Sequence, residues 1–182
     1  MNIPHEIIIP AVASLIAAVI GGLLGLLGSL IATKKQIQNK TAENNEIAER
    51  FINSILIEIE CIHSRYKEFS KIIRSKNDYL DYLMYINEDY FSVYHNNSGY
   101  LGLIKNDKLR NNIIKFYTQA KGLIDTIRTN TKLLEELHSN NPKNRQDIHL
   151  MLCNYLLEIK NDDANTMYLY QKIQESKEQH YL

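Results

Sequence analysis

The stretch from residue 7 to residue 33 reads IIIPAVASLIAAVIGGLLGLLGSLIAT and contains no charged side chain. A bilayer core needs roughly 20 consecutive apolar residues in a helix that rises about 1.5 Å per residue. The stretch exceeds that length, so it predicts a transmembrane helix over about residues 7–33. A cleaved signal peptide is the alternative, but it would place Lys or Arg before a shorter apolar run, and residues 1–6 contain neither.

The charges that flank this stretch predict its orientation. Lys34, Lys35 and Lys40 follow it, and no Lys or Arg precedes it. Because positive residues stay on the cytoplasmic side, we expect the N-terminus outside and the C-terminal domain in the cytoplasm. The two cysteines, Cys61 and Cys153, are far apart and form no disulfide framework, which fits a reducing compartment. The abundance of Tyr, Ile, Asn and Lys, which have A/T-rich codons, favours an AT-rich bacterial or mobile-element gene. With the apolar run and its flanking charges, we expect a single-pass protein of the bacterial inner membrane.

Small residues recur every four positions along the apolar stretch. They are Ala13, Ala17, Gly21, Gly25 and Ser29. In lipid, helices associate through close backbone packing, which a ridge of small side chains permits. The ridge therefore predicts homo-oligomerisation, with a pore where more than two helices form a ring. The alternative is that Gly and Ala are simply frequent in membrane helices.

The chain after the membrane segment divides into two parts. Residues 34–46 are polar almost all round and predict an exposed stalk, and residues 47–182 are numerous enough to form one core. The second part opens with apolar residues at alternating spacings of three and four, which predict an oligomer-forming heptad on a long helix. The heptad positions are Ile52, Ile55, Ile59, Ile62, Tyr66 and Phe69.

The middle of the chain shows a less regular pattern. Residues 79–86 have helical spacing and predict a short helix, with Asn77 or Asp78 as its N-cap. The turn-rich residues 91–104 predict a loop that packs aromatic side chains against the bundle. A second long helix is expected to follow an N-cap at Asn106 or Asp107.

The last two helices complete an all-α fold. The second long helix is expected to end near Ser139, and the third to run from about Asn144 to near the C-terminus, with a polar interruption at residues 161–163. No alternating strand pattern competes. The sequence thus predicts a single N-terminal transmembrane helix, a stalk and a cytoplasmic bundle of three long helices and one short one.

Few residues of this chain suggest catalysis. The sequence contains no P-loop, GxGxxG or GxSxG motif, so we expect neither an enzyme nor a cofactor. Glu58 and Glu60 point to different faces of a helix and do not form a catalytic pair. His149 and Cys153 lie four residues apart and can share a metal, but a structural zinc needs four ligands, so no metal site is predicted.

Basic residues at the end of the heptad helix and at the start of the next long helix form a candidate anionic-ligand patch. They are Lys67, Lys71, Arg74, Lys105, Lys108 and Arg110. With neighbouring tyrosines they would hold phosphates and stack bases. A solvated charged face is the alternative. The formal net charge of zero gives no reason to expect binding to duplex DNA.

One motif in the middle of the chain is formed by Val93, Tyr94, Asn97, Leu101, Gly102, Leu103, Leu109, Ile113, Phe116 and Tyr117. This motif resembles one found in a broad group of small bacterial proteins that have an N-terminal membrane helix and a cytoplasmic helical bundle. The preceding helix, EIAERFINSILIEIECIHSRY at residues 46–66, also resembles that group, so the resemblance covers roughly residues 1–130. The layout is similar to that of the Hailong antiphage effectors.

This resemblance implies a ligand-controlled membrane effector. In Hailong systems a nucleotidyltransferase makes an oligonucleotide that holds a channel-forming effector silent. For this chain we therefore expect a homo-oligomer that forms a pore or perturbs the inner membrane, with lipid, its own copies and a nucleotide or oligonucleotide as partners. The alternative is a non-conducting, membrane-anchored scaffold or regulator that acts through protein–protein interaction.

Overall fold

The computed structural model describes the backbone of residues 5–85, 88–139 and 144–180, and the side chains within these ranges other than those of residues 5–17, 19, 88–89 and 179–180. All regular elements in these ranges are helical, which confirms the all-α prediction. Three α-helices are long and one is short. They are α1 His5–Ser75, α2 Ser92–Asn97, α3 Asp107–Leu137 and α4 Arg145–His180, and 3₁₀ helices at Glu88–Phe91 and Ser98–Leu103 flank α2.

The chain forms two compact units, of which the first ends at Ile47. The described part of the first unit is a single stretch of α1, in which every side chain from Ile20 to Glu43 is exposed. By mean hydropathy, no helix within the described residues is both long enough and apolar enough to cross a membrane.

The second unit, from Ala48 onward, is a helical bundle built around three successive groups of buried residues. Representative members are Ile55, Ile113 and Ile173 in the first group, Ile73, Ile127 and Ile159 in the second, and Leu134 and Leu152 in the third. Residue numbers rise together along α1 and α3 and fall along α4. Within the bundle α1 and α3 are therefore parallel, and α4 runs antiparallel to both.

Helix α3 begins where the sequence predicts. The Asn106 side chain accepts a hydrogen bond from the backbone N–H of Leu109 at 3.0 Å, which satisfies one of the donors that an α-helix leaves free in its first turn. Its buried face includes Leu109, Ile113, Phe116 and Leu123, at the three-or-four-residue spacing of one helix face. The prediction of an N-cap at Asn106 or Asp107 is confirmed, with Asn106 in that role.

The short helix predicted at residues 79–86, with an N-cap at Asn77 or Asp78, is wrong over its described residues 79–85, which are not helical. The Asn130 side chain donates to the backbone carbonyl of Leu80 at 2.9 Å, and the Thr131 hydroxyl accepts from the backbone N–H of Met84 at 3.2 Å. Because α3 supplies these partners, the Leu80 carbonyl and the Met84 N–H are hydrogen-bonded although the segment is not helical. Residue 86 lies outside the described residues.

The loop predicted at residues 91–104 is also wrong, because most of this segment is α2 and its flanking 3₁₀ helices. The reason lies 35 residues away along the chain, in Glu58 on α1. Its carboxylate accepts hydrogen bonds from the backbone N–H groups of Val93 and Tyr94 in the first turn of α2. This tertiary cap compensates for a local sequence rich in turn residues.

Helix α4 continues through the polar residues 161–163, where the sequence predicted an interruption. Asp163 is only 1% exposed, and its carboxylate accepts hydrogen bonds from the Tyr66 hydroxyl and the Arg74 guanidinium, each at 2.7 Å. The neighbouring Asp162 accepts a hydrogen bond from the Gln119 side chain at 2.8 Å. Partners on α1 and α3 therefore bind these carboxylates, and α4 does not break.

Candidate functional site

The first unit carries an apolar surface on α1, formed by residues 20–31. Its large aliphatic side chains are between 52% and 69% exposed. They are Ile20, Leu23, Leu24, Leu26, Leu27, Leu30 and Ile31. Burying one such side chain fully is worth about 1.5–3 kcal/mol, so covering this surface would contribute on the order of 10 kcal/mol. Lipid or another protein chain can supply such a cover.

The small-residue ridge predicted for helix packing lies partly on this apolar α1 surface. Gly21, Gly25 and Ser29 are exposed. A Cβ atom added at either glycine would meet no atom within 4 Å, so the described chain leaves space beside both positions. The side chains of Ala13 and Ala17, which complete the ridge, lie outside the described residues.

The predicted heptad lies in the bundle. Its members Ile52, Ile55 and Ile59 are at most 1% exposed and pack with α3 in the first core group, while Phe69 belongs to the second. The remaining members, Ile62 and Tyr66, are partly buried against the same groups. The helices that cover this stripe are thus α3 and α4 of the same chain.

The predicted anionic-ligand patch is divided between two levels of the bundle. Lys67, Lys71 and Arg74 lie beside the second core group, where Phe69 packs with Leu123. In contrast, Lys105, Lys108 and Arg110 flank Leu109, which belongs to the first core group. Leu109 and Leu123 are 14 residues apart on α3, a separation of about 21 Å at 1.5 Å per residue. The structure therefore does not bring the two halves together.

Carboxylates of the chain itself already bind several of these cations. The Lys71 ammonium lies 2.8 Å from Glu68, and the Arg74 guanidinium lies 2.7 Å from Asp163. In the other half, the Arg110 guanidinium lies 2.7 Å from Asp107. An incoming anion would have to compete with these carboxylates, which weakens the case for a phosphate site here.

The buried Glu58 carboxylate of α1 accepts hydrogen bonds from both α2 and α3. Besides the two α2 backbone groups, at 2.7 and 3.1 Å, it accepts a hydrogen bond from the Tyr117 hydroxyl at 2.5 Å. The Tyr94 ring stacks on the Tyr117 ring at 3.9 Å. Burial, together with the hydrogen bond and charge of Glu58, raises the pKa of Tyr117, so this hydroxyl stays protonated and keeps donating.

Glu60, two residues after Glu58 on α1, has a different partner. Glu60 is exposed and accepts a hydrogen bond from the Tyr170 hydroxyl at 2.7 Å. Glu58 and Glu60 therefore lie on different faces of α1, as the helical geometry predicted. The buried carboxylate holds α2 against α1 and α3.

A cavity of about 140 Å³ lies between α1, α3 and α4 and the segment before α2. Its apolar lining includes Ile62, Phe69, Phe116, Leu123, Ile127 and Met167. The buried Thr166 hydroxyl also lines it and has no hydrogen-bond partner among the described residues. An apolar cavity of about this size accommodates benzene. The cavity therefore suits a small apolar group that carries one hydrogen-bonding atom.

Two aromatic residues form one side of the same cavity. The His63 imidazole stacks on the Tyr170 ring at 3.6 Å. Burial lowers the pKa of His63; the nearby Lys67 lowers it further, and Glu60 opposes the shift. The neutral imidazole is thus the favoured form beside the cavity. Nothing in the helical spacing of the sequence indicated this cavity, because it depends on how the helices pack.

A cluster of three chemically reactive side chains lies where the segment after α1 meets the N-terminal part of α4. Cys153 Sγ is 3.3 Å from Asp78 Oδ1 and 3.7 Å from His149 Nδ1, and His149 Nε2 is 3.1 Å from Asp78 Oδ2. The sequence paired His149 with Cys153 but missed Asp78, which is 71 residues before His149. No local pattern connects positions so far apart.

The order thiol, imidazole, carboxylate in this cluster is the order found in cysteine nucleophiles. Burial, the hydrogen bond to Asp78 and the charge of Asp78 together raise the pKa of the Cys153 thiol. Because the thiolate is the attacking species, this environment disfavours nucleophilic catalysis.

Comparison with protein-family models, curated proteins and solved structures finds no match to this chain. Functional inference therefore rests on the chain's own residues and on the sequence motif at residues 93–117. The structural features that bear on function are the apolar α1 surface, the Glu58 contacts, the cavity and the Asp78–His149–Cys153 cluster.

Proposed function

We propose that this chain is a homo-oligomeric membrane effector of bacterial antiphage defence. Its N-terminal helix inserts into the inner membrane with the N-terminus outside, and the cytoplasmic bundle controls whether the assembled helices form a pore or perturb the bilayer. The observation that carries the proposal is the apolar α1 surface, whose seven aliphatic side chains are all exposed. Exposing such a surface to water is unfavourable, and burying it in lipid is favourable.

Glycines on the same surface support self-association over a passive anchor. Lipid would cover the leucines and isoleucines, while the open sides of Gly21 and Gly25 would let a second helix approach closely. A lone anchor needs only hydrophobicity, so it would tolerate large side chains at both glycines. An assembled pore would not.

The membrane activity is tested by inducible expression in bacteria with a dye that reports membrane potential. We expect the full chain to depolarise the cells and a chain lacking residues 1–33 to leave the potential unchanged. Equal expression of both chains is verified by immunoblot. Equal depolarisation by both chains, or by neither, contradicts the proposal.

Glycine substitutions separate assembly from anchoring. Gly21→Leu and Gly25→Leu are expected to abolish depolarisation and inter-chain cross-linking while the chain stays in the membrane fraction. Gly122→Leu is the matched control, because Gly122 is also an exposed helical glycine with no atom within 4 Å of an added Cβ. If the N-terminal variants behave like the Gly122 variant, the ridge has no role in assembly.

The proposed orientation is tested at Cys61, an exposed free cysteine of the bundle. A membrane-impermeant maleimide should label Cys61 only after the cells are permeabilised. A Cys153→Ser background removes the second thiol and makes the readout specific. Labelling of Cys61 in intact cells would place the bundle outside and refute the orientation.

Control by a nucleotide or oligonucleotide, the ligand class that the resemblance implies, is part of the same proposal. The candidate binding face for this ligand contains Lys67 and Lys71, which lie one helical turn apart, and an anion there would compete with Glu68 for Lys71. Binding of a fluorescent oligonucleotide to the purified full chain should weaken in a Lys67→Glu, Lys71→Glu variant and persist in Lys132→Glu, a control at an exposed α3 lysine. Absence of binding to the unmodified chain removes this ligand class and leaves the pore proposal intact.

The alternative function is a non-conducting scaffold that is anchored in the membrane. It is favoured by Leu150 and Leu157, which lie seven residues apart on α4 and are 62% and 68% exposed. Such a stripe can pack against another protein. Replacing residues 1–33 with an unrelated single-span helix distinguishes the two functions. A scaffold would keep its cellular activity, and a pore-forming protein would lose it.

A further inference from the structure

We propose that Asp78, His149 and Cys153 form a binding site for a zinc ion. The three side chains each offer one ligand atom, and these atoms lie within 4.8 Å of one another. They come from two separate parts of the bundle: Asp78 follows α1, whereas His149 and Cys153 lie one turn apart on α4. The site is independent of the proposed membrane function.

The spacing of the donor atoms fits tetrahedral zinc. Zn–S distances near 2.3 Å and Zn–N or Zn–O distances near 2.1 Å place neighbouring ligand atoms of a tetrahedron about 3.4–3.6 Å apart. Cys153 Sγ lies 3.3 Å from Asp78 Oδ1, and His149 Nε2 lies 3.1 Å from Asp78 Oδ2. Both are within a few tenths of an ångström of these values. Because all three ligand atoms lie within 4.8 Å of one another, side-chain rotations can bring them to a common ion.

The imidazole is already oriented for this role. His149 Nε2 faces Asp78 Oδ2 at 3.1 Å, so a proton on Nδ1 leaves the Nε2 lone pair free on the side of the carboxylate, as metal ligation requires. The Tyr79 ring packs edge-on against the His149 ring at 5.3 Å and further restricts its orientation.

The chemistry of the three donors selects the metal. A sulfur, a nitrogen and an oxygen ligand suit a borderline ion such as Zn²⁺ better than Mg²⁺ or Ca²⁺, which prefer oxygen alone. Three protein ligands leave a fourth position for water. His149 and Asp78 are 46% and 65% exposed at their side chains, so the ion and this water can enter from solvent.

Bound zinc would connect the segment after α1 to α4. On binding, the Cys153 thiol loses its proton to solvent and the thiolate coordinates the ion; the metal's oxidation state does not change. The ligand set therefore predicts both a metal-dependent protection of one thiol and a spectroscopic signature of sulfur coordination.

Thiol protection tests the site on the purified full chain in detergent. Zn²⁺ should slow the alkylation of Cys153 at least about tenfold and leave that of Cys61, the other free cysteine, unchanged. His149→Gln and Asp78→Asn should each remove the protection. Protection that survives both substitutions, or that is equal at Cys61, overturns the proposal.

Cobalt provides a second measurement, which begins with the unmodified chain. Co²⁺ added to the unmodified chain should produce a sulfur-to-cobalt charge-transfer band and the intense visible bands of tetrahedral coordination. Zn²⁺ should displace both. Cys61→Ser is the matched control and should keep the spectrum, while Cys153→Ser should lose it. A spectrum of octahedral aqueous Co²⁺ alone refutes the site even if a variant fails to fold.

Discussion

Removing the Tyr117 hydroxyl should destabilise the bundle, because this group donates to the buried Glu58 carboxylate at 2.5 Å. The substitution Tyr117→Phe deletes one oxygen atom and leaves the ring stack with Tyr94 in place. Tyr117 is 3% exposed and Glu58 is 8% exposed, so water cannot readily replace the lost donor. Among the donors in the described part of the chain, the carboxylate would then retain those of the α2 backbone at Val93 and Tyr94.

The expected magnitude follows from this burial. A hydrogen bond to a charged group contributes about 1.5–3 kcal/mol. We therefore expect Tyr117→Phe to lower the free energy of unfolding by about 2 kcal/mol. Glu58→Ala should cost more, because it leaves the Val93 and Tyr94 N–H groups and the Tyr117 hydroxyl without their acceptor.

A matched control exists in the same chain. The Tyr85 hydroxyl also donates to a glutamate, Glu135, at 2.9 Å, but Tyr85 is 75% exposed. The chemical change in Tyr85→Phe is identical, yet water can solvate the Glu135 carboxylate that loses its donor. We expect no measurable loss of stability from this variant.

Urea denaturation of the full chain, followed by far-UV circular dichroism, measures both variants against the unmodified protein. Hydrogen exchange at the Val93 and Tyr94 amides locates the effect, and exchange at both should accelerate in Glu58→Ala. Equal stability losses from Tyr117→Phe and Tyr85→Phe would refute the reasoning, because burial would then have no influence on the strength of a tyrosine–glutamate hydrogen bond.

Three further predictions concern the cap of α3, the histidine stack and the cavity. Asn106→Ala should lower the free energy of unfolding by about 1 kcal/mol in urea denaturation, since it removes the acceptor for the Leu109 N–H, whereas Asn106→Asp should retain most of it. Because the pKa of His63 is lowered in the folded state, the unfolded chain takes up this proton at a higher pH, and the free energy of unfolding should decrease as pH falls below about 6.5, the ordinary histidine pKa. His63→Phe should keep the stack with Tyr170 and flatten this pH dependence. Thr166→Val should raise the melting temperature, since it removes a buried hydroxyl without a described partner, at a gain of about 1 kcal/mol; a lower melting temperature would mean that the hydroxyl has a partner.

The long helices could be predicted from sequence because their signals are local. The spacing of Ile52, Ile55 and Ile59 marks one buried face, and Asn106 marks the start of α3 through a contact only three residues away. The same heptad did not reveal its partner. A stripe at three-or-four-residue spacing packs equally well against helices of its own chain and against those of a second copy.

Helix α2 and the complete Asp78–His149–Cys153 cluster could not be predicted, because both depend on contacts between residues that are distant in sequence. The cap of α2 comes from Glu58, and the segment after α1 is held by Asn130 and Thr131 on α3. Asp78 approaches Cys153 across 75 residues. Each contact depends on the tertiary packing of helices, which hydrophobic periodicity along one helix does not specify.

The described parts of the connection between α1 and α3 are where these distant contacts meet. Asp78 at its start contacts α4, Leu80 and Met84 hydrogen-bond to α3, and Val93 hydrogen-bonds to α1. The connection is thus held by polar contacts to all three long helices and by three buried apolar residues, Leu80 in the second core group and Phe91 and Ile104 in the first. Because the proposed site joins Asp78 to His149 and Cys153 on α4, bound zinc would add to these contacts and stabilise the folded bundle as a whole.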